Sequence, residues 1–542
     1  MADLFGTPFD DTLYGELGNN SIVGYAGDDA VYGGSQQDLI FGNSGLDFLL
    51  GSGGDDTILA GRDSDYVSGG FDNDVLFGNL GADFLYGSDG IDEMFGGRDD
   101  DFLAGGTGND RLSGDLGRDT LIGVERWDFQ AGAGEIDTLT GGAGADFFVL
   151  GDRFDSYYAS AGDSDFALIT DYESTEDTIA VSDPNTIATS TLTLAGFGMG
   201  MGIFETALGT NELIAFLPGV TQAPDLYSTQ IGYGAIDASA AVAAVVGESN
   251  PFPEIADSFF TPWGINRVNA PEVWAQGYTG EGVVVAVIDS GVDYTHPDLA
   301  DNIWNNTDEI AGNGIDDDGN GYIDDTRGWD FVDGDRDPNE SLFSNGHGTH
   351  VAGTIAAADN GFGVTGVAPD ATIMPIRVLG AFGGQPSDVG MGIRYAADNG
   401  ADVINLSLGG GYFTDVEEAI QYATERGVLV VMASGNEGNS QPTYPARGAD
   451  QYGIAVGAID IYDTVPNFSN EAGRDLDYVV APGASVRSTL PNNRYGFASG
   501  TSFAAPHVSG VAALMLSANP DLTLEQVEET IVRTADPTGI LA

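Results

Sequence analysis

Three separated stretches of this chain carry an acid, a base and a nucleophile. Asp289 ends an apolar run in Val287-Ile288-Asp289-Ser290-Gly291, and His347 lies in Gly346-His347-Gly348-Thr349-His350-Val351. Ser502 lies in Ser499-Gly500-Thr501-Ser502-Phe503-Ala504-Ala505-Pro506. A serine hydroxyl attacks a carbonyl only when an adjacent imidazole takes its proton. That imidazole needs a carboxylate to fix its tautomer and stabilise its charged form. Taken singly, Ser502 would serve as a helix cap and Asp289 as a strand-end cap; together the three supply nucleophilic acyl-transfer chemistry. A serine at a helix start also presents its own N–H, unpaired within the helix, to a developing oxyanion.

The elements around these residues are legible as alternating strands and helices from about residue 256. Val283 to Ile288 is a continuous apolar run, as expected of a strand buried on both faces. Similar strands are expected at Thr372 to Val378, Val403 to Leu406, Val428 to Met432 and Ile454 to Val456. Helices are expected at Gly348 to Ala358, Asp388 to Asn399, Asp415 to Arg426 and Leu524 to Arg533. Alternation of this kind predicts an α/β domain with a doubly wound parallel sheet, whose active site sits at the carboxyl ends of the strands.

Residues 7 to 123 are different. They divide into thirteen nine-residue units with Asp at the fifth position, except at Asn20, and an apolar residue at the seventh, from Leu13 to Leu121. The ninth position is Gly except at Ala60. Glycines permit tight turns, the residues after Asp can form a short strand, and stacked neighbours build an apolar column that one unit cannot. The carboxylates are expected as a mutually repelling ladder along the outside, relieved by hard cations with oxygen ligands such as Ca²⁺. The candidate metal ligands are Asp29, Asp38, Asp47, Asp56, Asp65, Asp74, Asp83, Asp92, Asp101, Asp110 and Asp119.

Two resemblances follow from these motifs. Residues 7–123 resemble the calcium-binding nonapeptide array of the RTX (repeats-in-toxin) proteins. This implies a parallel β-roll in which units of like parity stack, with Asp29, Asp47, Asp65, Asp83, Asp101 and Asp119 on one edge. The other edge would carry Asp38, Asp56, Asp74, Asp92 and Asp110. Residues 261–534 resemble a subtilisin-type serine protease (subtilase), with the three motifs in that family's order of Asp, His and Ser. The resemblance implies a catalytic triad of Asp289, His347 and Ser502, with Asn436 as second oxyanion donor. It also implies substrate contacts by Ser407, Leu408, Gly409, Gly435 and Glu437, and a cis peptide at Tyr444-Pro445. Phe503 stands where the family commonly has Met. His296, His350 and His507 are expected to be structural.

Two further calcium features are expected in this half. Asp316, Asp318, Asn320 and Asp324 have the spacing of an EF-hand-like loop, although Arg327 occupies the closing position. By resemblance alone, Asp298 and Asn360 match a family calcium site, in which Phe259 falls near the register of a missing amino-terminal ligand.

The expected organisation is thus multidomain: an all-β parallel roll over 7–150, a β-rich cap over 151–232, a linker with a short helix over 233–255, and a subtilisin-like domain over 256–542. The family generally continues with another strand and helix, so the carboxyl-terminal end is expected to be truncated. The family also usually carries a propeptide, and none is recognisable in residues 1–255. The formal charge of -67, with 84 acidic residues against 17 basic ones, argues against nucleic acid or anionic membrane as a partner. Such acidity could also mark adaptation to high salt. Cysteine is absent, no run reaches the length of a membrane helix, and the first residues do not read as a secretory signal. The leading expectation is a secreted, extracellular, calcium-dependent serine endopeptidase acting on proteins or peptides. The alternative is a calcium scaffold or adhesion protein with an inactive protease part.

Overall fold

The computed structural model describes residues 2–540 apart from 16, 125–131, 152–155, 160–164, 175–176, 183, 207–210, 225, 229, 254, 256–260, 341–345, 381–382, 450, 474–475 and 538–539. Phe259, and the end of the repeat register at 125–127, therefore lie outside the described residues. The chain divides into two units, Met1–Ser228 and Thr229–Ala542.

In the first unit the nine-residue period becomes two parallel sheets. Odd and even strands alternate between them, so strands within the regular array pair eighteen residues apart, and its last two pair twenty-seven residues on, at Leu112 with Leu139 and Leu121 with Phe148. Ile22 faces Ile40, which faces Ile58, then Leu76, Met94 and Leu112. On the second sheet Leu49 faces Val67, Leu85, Leu103 and Leu121. These side chains are almost fully buried and form the interior column. The strands are longer than expected: Phe48–Gly53 and Tyr66–Phe71 each span six residues, because the ladder continues past the glycine that closes each unit. Glycine is required in the turn: Gly108 has φ +141°, and a Cβ there would lie 1.6 Å from the Gly90 carbonyl oxygen of the turn below. Outward-facing rings repeat with the strand spacing. Tyr14 stacks on Tyr32 at 4.8 Å and Phe77 on Phe95 at 5.0 Å, so each ring's face is covered by its neighbour.

Strands between residues 166 and 228 extend both sheets, and the first unit ends at Ser228, four residues short of the expected 232. Phe166–Ile169 and Glu212–Pro218 continue one sheet, which then ends in antiparallel strands Gly198–Glu205 and Ile187–Leu194. Thr178–Val181 and Leu226–Ser228 continue the other. Phe166, Leu168, Leu213 and Phe216 form a separate buried cluster, with Ile136, Leu192, Leu194 and Phe204 packed against it.

The second unit is built on a seven-stranded parallel sheet. Its order is Trp329–Asp330, Thr372–Arg377, Val284–Asp289, Val403–Leu406, Leu429–Ala433, Ile454–Ile459 and Tyr478–Pro482. The strand that comes first in the chain lies between the third and fourth, so the strand order reverses beside it. Asp289 ends that strand, at the crevice where doubly wound sheets bind their ligands. The helix Thr501–Ala518 is buried over most of its length and packs on the sheet.

The stretch 233–255 is not a linker. It contains the expected short helix, Ala238–Val245, but Ala238, Ala241 and Val242 belong to the core of the second unit. Asp237 caps this helix by accepting the Ala240 N–H at 3.0 Å. No helix among the described residues is long and apolar enough to cross a membrane.

Candidate active site and calcium-binding rungs

The three chemistry-bearing motifs occupy element ends. Asp289 is the last residue of its strand, His347 opens the helix His347–Ala356, and Ser502 is the second residue of Thr501–Ala518. His347 Nδ1 lies 2.7 Å from Asp289 Oδ1, and Asp289 is fully buried. An ionised carboxylate can only accept, so Nδ1 carries the proton and Nε2 is left as a base. The Ser290 N–H also donates to Asp289 Oδ1, at 2.7 Å. Burial draws the His347 pKa down, but the Asp289 charge and hydrogen bond, with the Glu340 charge, outweigh it. The net pKa lies above the ordinary histidine value.

Asn436 is locked to the helix that carries Ser502. Its Oδ1 accepts the Thr501 N–H at 2.8 Å, which fixes the amide's orientation and leaves its NH₂ as the donor side. The Thr501 hydroxyl also donates to Asn436 Oδ1, and it accepts the Gly435 N–H. Gly500, at φ +153°, brings its Cα close to that amide: a Cβ would lie 3.3 Å from Asn436 Nδ2.

Sequence reasoning missed two supports. Fully buried Asn470 holds the Asn436 turn from beneath: Oδ1 accepts the N–H groups of Glu437 and Asn439, and Nδ2 donates to Ser434 O and Glu437 Oε2. Buried Glu340 accepts from the Ser290 hydroxyl at 2.7 Å and the Thr349 N–H at 2.9 Å, which ties the Asp289 strand to the His347 helix. Both roles are tertiary, and nothing in either residue's local sequence marks them.

An apolar cleft of about 390 Å³ opens beside His347. Ser407, Leu408 and Gly409 line it with Tyr412, Phe413 and Met432. Gly435 and Glu437 are outside that lining, on the turn held by Asn470. The Tyr444-Pro445 peptide is cis. The other histidines are held as structural groups: His350 Nε2 donates to Val486 O and His507 Nδ1 to Phe503 O, and burial pushes both pKa values to about 4. His296 bridges Arg494 O and the Asp298 N–H.

In the first unit the repeated Asp side chains are not on the outside. Each turns inward, because its Oδ1 accepts the N–H of the repeat residue eighteen positions earlier: Asp38 from Asn20, Asp47 from Asp29, Asp65 from Asp47, Asp56 from Asp38, Asp74 from Asp56. All eleven candidates are at most 3% exposed. The Oδ2 of every one is buried with no hydrogen-bond donor. Burial raises their pKa values, to about 8 at Asp65, Asp74, Asp101 and Asp110 and about 6 at Asp47 and Asp92. Carbonyl oxygens converge on the same places. A Cβ at Gly51 would lie 2.3 Å from Asp56 Oδ2 and 2.6 Å from Gly69 O. Buried acceptors facing each other without a donor fit a hard cation.

The loop in the second unit differs from expectation. Asp316 and Asp318 do converge, and Glu309, absent from the sequence reading, joins them: one carboxylate oxygen from each lies within 4.8 Å of the others. Asp324 instead pairs with Arg336 and accepts the Asn313 and Gly314 N–H groups. Asn320 turns its oxygen to the Tyr322 N–H and its NH₂ to Asp318 and Asp325. Asp298 and Asn360 are brought together, but Asp298 accepts from Asn360 Nδ2 at 3.2 Å and the Val364 N–H at 3.1 Å. The Tyr495 hydroxyl is a further partner of Asp298.

The subtilase family matches residues 280–541. Subtilisin BL of Lederbergia lenta is 44% identical over 280 residues, which cover 51% of this chain and 92% of that protein. The chain belongs to the subtilase family. M-protease of Shouchella clausii is 44% identical over 280 residues, and the match spans 65% of its length, just under two thirds. A cold adapted subtilisin-like serine proteinase of known structure is 34% identical, with a TM-score of 0.40 over 50% of this chain and 90% of that one. The RTX calcium-binding nonapeptide repeat matches residues 5–40, 41–76, 50–85, 60–94, 86–121 and 128–163 of this subtilase.

Proposed function

We propose that this subtilase is a secreted, calcium-dependent endopeptidase that cleaves proteins or peptides through an acyl-enzyme. The observation that carries the reading is the 2.7 Å contact between His347 Nδ1 and a buried Asp289. Ser502 attacks the scissile carbonyl as His347 Nε2 takes its proton, and Asp289 stabilises the resulting imidazolium. The Asn436 NH₂ and the Ser502 N–H bind the oxyanion. His347 then gives its proton to the leaving amine, and water repeats the sequence in reverse. Ser407, Leu408 and Gly409 present the cleft wall to an extended substrate, and Glu437 adds a negative charge near the oxyanion turn.

Two measurements test this reading. His347 must be neutral to act as base, and its raised pKa places the acid limb of kcat/KM above 6.5, with activity rising as the proton leaves. A midpoint at or below 6.5 contradicts the assigned environment. Asn436→Ala should cost about 2.7–4 kcal/mol of transition-state stabilisation, the range found in subtilisin, with KM nearly unchanged. Full kcat in that variant would remove Asn436 from the oxyanion site.

Calcium would be held in the first unit by the repeated Asp carboxylates and turn carbonyls, and in the second by Glu309, Asp316 and Asp318. There it supplies positive charge and fixed coordination, which hold acidic turns together. Secretion is supported by the pairing of RTX repeats with a protease of this family.

A further inference from the structure

One of the two aspartate files has buried ends that differ from its middle. It runs from Asn20 through Asp38, Asp56, Asp74, Asp92 and Asp110 to Asp137, each residue's N–H donating to the next side chain's Oδ1. Along the middle, two bare acceptors meet. A Cβ at Gly87 would lie 2.4 Å from both Asp92 Oδ2 and Gly105 O, and one at Gly33 would lie 2.7 Å from Gly51 O and 2.8 Å from Asp38 Oδ2. No N–H or O–H reaches the Oδ2 atoms of the five Asp residues from Asp38 to Asp110.

At each end a donor stands in the corresponding place. At Gly15 a Cβ would lie 1.7 Å from Gly33 O and 2.7 Å from Asn20 Nδ2. That NH₂ donates to Gly33 O at 3.2 Å, to Asp38 Oδ1 at 2.8 Å and to Gly18 O at 2.6 Å. At Gly123 a Cβ would lie 2.0 Å from the Tyr158 hydroxyl and 2.5 Å from Asp137 Oδ2. The hydroxyl donates to Asp137 Oδ2 at 2.6 Å, and Asn20, Asp137 and Tyr158 are all fully buried. Asp137 Oδ2 is accordingly not among the buried oxygens lacking a donor.

We infer that the Asn20 amide and the Tyr158 hydroxyl stand, at the two ends of this file, where cations stand along its middle. The physical requirement is the same at every rung: facing acceptor oxygens out of water need positive charge or a hydrogen between them. In the middle only a cation can meet it while the carboxylates are ionised. At the ends a covalently attached donor meets it at any calcium concentration, so the file closes without exposing a half-coordinated ion. The file therefore takes ions beside five carboxylates and none beside Asp137. This rests on the calcium reading of the repeats.

The test is the position and number of ions in the full chain, with Ser502→Ala to prevent self-digestion. Crystals grown in millimolar Ca²⁺ and measured near an absorption edge of calcium or a substituting lanthanide should show ions beside Asp38 to Asp110 and none beside Asp137. Tyr158→Phe, which removes one oxygen and keeps the ring, should gain an ion beside Asp137. Asn20→Asp should gain one at position 20, and each variant should take up one more Ca²⁺ in calorimetric titration. Should Tyr158→Phe fail to fold, Asn20→Asp decides the question for its own end, and an ion beside Asp137 in the parent decides it for the other. An ion beside Asp137 in the parent, or no gain in a folded variant, overturns the inference while the calcium reading stands. No ion anywhere along the file overturns the calcium reading itself.

Discussion

Substituting Ser502 or His347 by Ala is expected to lower kcat by about 10⁶-fold, the size of the effect in subtilisin, with KM nearly unchanged. Asp289→Ala should cost less, roughly 3 × 10⁴, again by the subtilisin precedent. On the proposed mechanism the three groups act as one unit. Without the hydroxyl there is no acyl-enzyme, and without the imidazole the hydroxyl keeps its proton. Without the carboxylate the imidazole loses its fixed tautomer, yet it remains on a helix start tied by Glu340 through Thr349. A Ser502→Ala,His347→Ala double variant should therefore be little worse than either single one. Additive losses, giving about 10¹²-fold, would show that the two act independently and that the triad assignment is wrong.

Removing calcium is expected to unfold the first unit at neutral pH. Eleven buried Oδ2 atoms lack donors there, and burial raises the pKa of these carboxylates, to about 7 at Asp56, Asp83 and Asp119. A folded-state pKa above the unfolded value means the fold favours the protonated form. Without metal, stability is therefore highest in acid, below about pH 4, and falls as pH rises toward about 8. Calcium reverses this, because it binds the ionised form. Each site held at 100 times its Kd contributes about 2.7 kcal/mol, so about five such sites match the ~5–15 kcal/mol that stabilise an ordinary domain. Circular dichroism of Ser502→Ala protein in chelator at pH 8 should lose strand signal and regain it in millimolar Ca²⁺. Mg²⁺ should substitute poorly, since it dehydrates reluctantly and demands octahedral geometry. Sodium chloride screens charge without coordinating the turns. If it alone restored the signal, the acidity would report salt adaptation and not metal sites.

How much was legible depended on whether a residue's role is local. The inward Leu and Ile of each repeat follow from period and polarity, and Asp289, His347 and Ser502 from motifs that span only a few residues each. The direction of the repeated carboxylates was not legible, because it is set by an N–H eighteen residues away that exists only once the roll has formed. Glu309 joins Asp316 and Asp318 across a loop whose closure no spacing rule describes. Asn470 holds the Asn436 turn from a segment more than thirty residues further along the chain. The helix Ala238–Val245 has a clear cap at Asp237, but an Ala/Val surface does not say which core it joins.

The central claim is that Ser502 is the nucleophile of a protease, and covalent labelling tests it most directly. A serine-directed phosphonofluoridate should add one adduct, located by peptide mass spectrometry at Ser502, and casein hydrolysis should fall in step with labelling. His347→Ala protein should resist the reagent. Casein hydrolysis that persists after complete labelling of Ser502, or an adduct at another serine with Ser502 untouched, would contradict it.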